Sequence, residues 1–137
     1  MKYYKVVRKF NGKLVSVSTY GKYQVEYKIG ETTKPKIGKL FVFNSLLSAR
    51  NYISNIEWQH NYPNDKAIFE CEIRKPSLMR YIGDYRDDDM KMFWENRNLR
   101  IEQRISKEYR TQFSYHIAYR SPCGTYCASE VKLLKEV

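Results

Sequence analysis

Residues 3–17 read Tyr3-Tyr4-Lys5-Val6-Val7-Arg8-Lys9-Phe10-Asn11-Gly12-Lys13-Leu14-Val15-Ser16-Val17. Two runs rich in Tyr, Val and Phe flank an Asn-Gly pair. That pair is the strongest short hairpin signal, because both central residues of a type I′ turn need positive φ. The spacing predicts two antiparallel strands, 3–10 and 13–17. Gly21 marks the next turn. Tyr23, Val25, Tyr27 and Ile29 then alternate with Gln24, Glu26 and Lys28, a period of two with one face buried and one wet.

The polar stretch Gly30 to Gly38 reads as a lysine-bearing loop, and Leu40 to Phe43 as a short strand buried on both faces. A helix follows, capped by Asn44 or Ser45, with Leu46, Ala49, Ile53 and Ile56 at helical spacing. Ala67, Phe69, Cys71 and Ile73 alternate as another half-buried strand, ended by Lys75-Pro76. A second helix is predicted from about Asp89 to Tyr109. Met90, Trp94, Ile101, Ile105 and Tyr109 line its apolar side, with Arg97, Arg100, Arg104 and Lys107 in a stripe beside them. Phe113 to Tyr119 alternates as a strand. Tyr126 to Val137 suits either strand or helix.

Strand runs with segregated helices predict an α+β fold: a single domain over 1–137, with a mixed, largely antiparallel sheet packed with two helices. Residues 77–112 read as a helical insertion. The 137 residues suffice for a core without disulfides, and 42% hydrophobic with 29% charged residues suits a folded chain. No run of about 18 apolar residues exists, so no membrane span is expected. Three cysteines and a start without an apolar leader make a reducing, cytoplasmic setting the expectation.

The formal net charge is +10, and it is unevenly placed. Residues 1–40 hold ten basic residues against two acidic ones; residues 61–137 hold fourteen against twelve. Clustered cations favour polyanions, and interleaved aromatic rings add stacking platforms for unpaired bases. The candidate partner-binding residues are therefore Lys5, Arg8, Lys9, Lys13, Lys22, Lys34 and Lys36 with Tyr20 and Tyr23, together with Arg97, Arg100, Arg104 and Lys107 on the second helix.

Other chemistry finds little support. Cys71, Cys123, Cys127, His60 and His116 lack metal-site spacing. Asp84, Asp87, Asp88 and Asp89 do not match a calcium loop and read as an acidic helix start. Neither histidine stands in a nucleophile or base motif, and no glycine-rich phosphate loop occurs. No cofactor, metal or catalytic residue is assigned.

Tyr4-Lys5-Val6-Val7, Val25 to Gly30, Leu40 to Ser45 with Ala49, Ala67 to Ile73 and Val131-Lys132-Leu133-Leu134 resemble segments of small bacteriophage and prophage proteins. The resemblance implies a phage or mobile-element origin and a host-cytoplasmic setting. It assigns no activity. The order of elements from Phe41 to Ile73 also resembles ADP-ribosyltransferase-type folds, where Glu70 or Glu72 would stand for a catalytic carboxylate. The leading expectation is a non-enzymatic basic protein that holds nucleic acid or an acidic protein surface, such as a host nucleic-acid-handling defence complex, and inhibits it. The alternative is an NAD- or nucleotide-handling enzyme of the ADP-ribosyltransferase type.

Overall fold

The computed structural model describes residues 2–17, 21–60, 65–79, 81–83, 91, 94 and 118–137, with backbone alone at 56–60, 81–83 and 118–120. Asn11 and Gly12 carry φ of 50° and 74°, as the hairpin reading requires. They join β1 (Tyr3–Phe10) to β2 (Lys13–Ser16), with Phe10 opposite Lys13 and Val7 opposite Ser16. A 3-10 turn at Gly21–Tyr23 leads to β3 (Glu26–Tyr27), which pairs with β2. The alternating stretch 23–29 therefore yields a two-residue strand. Val25 and Tyr27 are buried, but Ile29 is 58% exposed because the chain turns away at Gly30.

The remaining elements are β4 (Thr32–Thr33), β5 (Leu40–Phe43), α1 (Leu46–His60), β6 (Lys66–Arg74), β7 (Ser77–Leu78), β8 (Tyr81–Gly83), β9 (Ala118–Arg120), β10 (Thr125–Ala128) and β11 (Glu130–Glu136). The main sheet runs β4-β11-β6-β1-β5-β10-β7, with β2 and β3 added beside β1. Every described pairing is antiparallel, so the mixed sheet expected from the sequence is corrected to an antiparallel one. The C-terminal segment is a strand. Its bulge between Leu133 and Lys135 turns Leu134 outward.

The sheet cannot be flat. Along the path β3-β2-β1-β6-β11-β4, five strand spacings of about 4.8 Å make about 24 Å. The chain from Tyr27 to Thr32 reaches at most about 18 Å. The sheet therefore curls, bringing its β3 side toward its β4 edge, and Gly30 N–H donates to the Leu133 carbonyl at 2.8 Å to fasten that crossing. The curl encloses Val7, Val25, Tyr27, Leu40, Val42, Phe69, Cys71, Val131 and Leu133.

The outer face packs Val6, Phe41, Phe43 and Cys127 against Ala49, Tyr52 and Ile53 of α1. The Phe43 and Tyr52 rings lie 5.1 Å apart. Ser45 caps the helix, its Oγ accepting from Ser48 N–H at 3.1 Å. Because α1 covers this face, β5 is buried on both sides, as its apolar run predicted.

Only one α-helix is a described element, so the two-helix expectation is not borne out. The second helix lies outside the described residues except for Lys91 and Trp94, both helical. Most of the stretch 77–112, read as a helical insertion, lies outside the described residues; at its start Ser77 and Leu78 pair with Cys127 and Tyr126 of the main sheet. Next, β8 pairs antiparallel with β9 in a separate two-stranded ladder, with Ile82 opposite Tyr119.

Candidate binding cleft

Strand β1 changes partners along one edge. It meets β5 at Tyr4 and Phe43, then β2 from Val7 onward. Between those two partners lies a shallow, open cleft, lined from β1, β2, β5 and the 23–39 segment. Ser16 positions the mouth: its Oγ accepts from Val25 N–H at 2.8 Å, and Ser16 N–H donates to the Val25 carbonyl at 3.1 Å. Trp94 closes one side, stacked on Phe41 with centroids 5.5 Å apart. The indole lies directly on Gly38, whose φ is +57° and where a Cβ would overlap the ring.

Lys5 forms part of the lining and is only 6% exposed. Its Nζ donates to the Phe41 carbonyl at 2.6 Å and lies over the Tyr27 ring, 5.4 Å from the centroid. Burial pushes the ammonium down to about 8, an effect opposed by nearby Cys71. Burial likewise pushes the Cys71 thiol up to about 12 and the Tyr27 hydroxyl upward. Tyr27 is 2% exposed, and its hydroxyl has no hydrogen-bond partner among the described residues.

The sequence-predicted cations divide sharply. Lys5 is not a surface residue: its side chain shares a strand face with Tyr3 and Val7, so it enters the curl. Lys9 pairs with Glu136 at 3.3 Å, Lys13 with Glu26 at 3.6 Å and Lys34 with Glu130 at 3.7 Å. Arg8 is half-buried, bonds Gln24 at 3.3 Å and lies over Phe10. These four are partly spoken for within the protein.

Lys36 and Tyr23 line the cleft, and Lys22 sits over the Tyr23 ring at 5.1 Å. Lys39, absent from the sequence-based set, lines it too, as does Trp94. Among the described residues, Lys22, Lys36 and Lys39 form no ion pair, and no described lining residue is acidic. Tyr20, Arg97, Arg100, Arg104 and Lys107 lie outside the described residues.

Glu70, one of the carboxylates suggested by the ADP-ribosyltransferase likeness, pairs with Lys2 at 3.3 Å and Lys135 at 3.8 Å. Glu72 is exposed opposite Lys132. Neither is among the described residues of the cleft. No group of three His, Cys, Asp or Glu side chains suited to a metal occurs among the described residues, and none of their helices is long and apolar enough to cross a membrane.

Comparison of the chain with family models, with curated proteins and with solved structures finds no match.

Proposed function

We propose that the protein is a non-enzymatic binding protein for single-stranded nucleic acid, held at the mouth of this cleft. The observation that carries the reading is the company the cleft keeps. Lys22, Lys36 and Lys39, without carboxylate partners among the described residues, gather around the Tyr23 and Trp94 rings. Single-strand binding uses that pairing: cations for phosphates, rings for bases. Phosphate contacts by three lysines predict a log–log salt slope of about −2, hence roughly a 20-fold affinity loss between about 50 and 200 mM salt.

Fluorescence anisotropy with labelled DNA and RNA oligonucleotides tests this. Salt-sensitive binding is expected, weakened strongly by Lys36→Glu combined with Lys39→Glu. No binding at low salt, or binding that the double reversal leaves intact, would overturn it.

A further inference from the structure

Residues 34–39 join β4 to β5 and carry two of the rim lysines, Lys36 and Lys39. The segment is fastened at both ends. Thr33 pairs with Val131 and Lys34 with Glu130 at 3.7 Å, while Leu40 pairs with Ala128. Between those ends, residues 35–38 take part in no backbone hydrogen bond among the described residues. A stretch of that kind opens easily unless side chains pack it down. Gly38 supplies the packing point. A Cβ there would fall nearest to Cδ2 of the Trp94 indole, then to Cγ and Cε2. Cδ2 is a ring-fusion atom enclosed by its bonded neighbours, so Gly38 approaches the face of the indole and not its edge. Only a residue without a Cβ can come so close. The same indole stacks on Phe41, with an interplanar angle of 30°. Phe41 is buried in β5 and stands opposite Cys127 of β10. One side chain therefore ties the lysine segment to a buried strand.

We infer that Trp94 is a positioning residue, which holds the 35–39 segment against β5 so that Lys36 and Lys39 stand ready for phosphates. This rests on the nucleic-acid reading and deepens it: the indole is assigned to presenting the cations, and Tyr23 to a base. The physical gain is preorganisation. A lysine on a loosely held segment must be ordered as the strand docks, and that lost entropy lowers the affinity. A segment seated on a ring is already ordered by folding. Lys36 is exposed and Lys39 half-buried in the same short segment, so one contact serves two cations.

The test is anisotropy titration with two labelled oligonucleotides of equal length, one bearing bases and one abasic throughout. The abasic strand keeps every phosphate and offers nothing to stack. Trp94→Ala should weaken binding of both strands by the same factor, at least about fivefold at about 50 mM salt. The lysines set that scale, since each phosphate contact is worth about eightfold at about 50 mM salt relative to about 1 M. Trp94→Phe keeps an aromatic ring at the position and should restore both affinities to within about twofold of the wild type. Gly38→Ala leaves the tryptophan in place and disturbs only its seat, so it serves if Trp94→Ala does not fold; it too should weaken both strands alike. Weakening confined to the base-bearing strand overturns the inference, makes Trp94 a stacking platform and leaves the nucleic-acid reading standing. Equal weakening that Trp94→Phe does not relieve, or no weakening at all, also overturns it. So does a wild type that binds the base-bearing strand alone, because seated lysines should hold phosphates without bases. If the wild type binds neither strand, the nucleic-acid reading falls with it.

Discussion

Replacing Lys5 with Met should change stability in a pH-dependent way that identifies the buried charge. In the native state burial pushes Lys5 down to about 8, against an ordinary value of 10.5 in the unfolded chain. At pH values between these two, the unfolded chain binds more protons than the native one. Unfolding free energy therefore rises with pH across that window as far as Lys5 is concerned. At pH 7 the burden of the buried ammonium is about 3 kcal/mol; at pH 9.5 it has fallen to about 1.4 kcal/mol. Met has similar length and no charge. It escapes this burden but forfeits the bond to the Phe41 carbonyl, a loss of about 1–3 kcal/mol.

The variant should therefore be about as stable as the wild type, or somewhat more so, near pH 7, and should lose about 2 kcal/mol relative to it by pH 9.5. Cys71 works in the opposite sense, since its native thiol is pushed up to about 12 from 9.0, so stability falls as pH rises above about 9. That contribution is present in both proteins and largely cancels in the difference. Urea unfolding at pH 7, 8, 9 and 9.5 measures the comparison. A difference between the two proteins that stays constant within about 0.5 kcal/mol over this range would refute the argument that Lys5 is a buried, unpaired cation.

Gly38→Ala should lower stability by about 1–3 kcal/mol, because the residue has positive φ and its new methyl displaces the Trp94 indole. Thermal melting with a shift in tryptophan emission would show it, and an unchanged melt would contradict the stacking of Trp94 on this loop. Leu133→Ala, at a fully buried position within the curl, should lose about 2–5 kcal/mol by urea unfolding. Ser45→Ala removes the helix cap and should lose about 1 kcal/mol, seen in the same measurement.

The outline of the fold was legible where periodicity and turn chemistry agreed. Asn11-Gly12 set the first hairpin, and the apolar run Leu40–Phe43 announced a strand covered on both sides. The alternation of Ala67 to Ile73 placed β6 correctly. What failed was length and continuity. Tyr23 to Ile29 alternates along seven residues, yet only Glu26 and Tyr27 pair, because the chain must leave β2 and cross the curl to reach β11. Strand pairing of that kind is fixed by tertiary closure, which local pattern does not encode. The Ser77–Leu78 strand was invisible for the same reason: two exposed residues carry no period, and their place comes from the edge that β10 offers.

The candidate site was half legible. Charge counting found the basic third of the chain, but it weighted every lysine equally. Carboxylates distant in sequence then claimed Lys9, Lys13 and Lys34, and only folding brings Glu136, Glu26 and Glu130 beside them. Lys5 carried a usable signal, since it shares the parity of Tyr3 and Val7 on one strand face. That signal was ambiguous because Val6 and Val7 are both apolar, so either parity could face a core. The structure explains the ambiguity: α1 covers one face and the curl encloses the other. A strand buried on both sides has no wet face on which to place a lysine. The residue must then be neutralised by something, and within the described protein that is a carbonyl and an aromatic face rather than an acid. A burden of about 3 kcal/mol is a large share of the 5–15 kcal/mol by which most domains are stable.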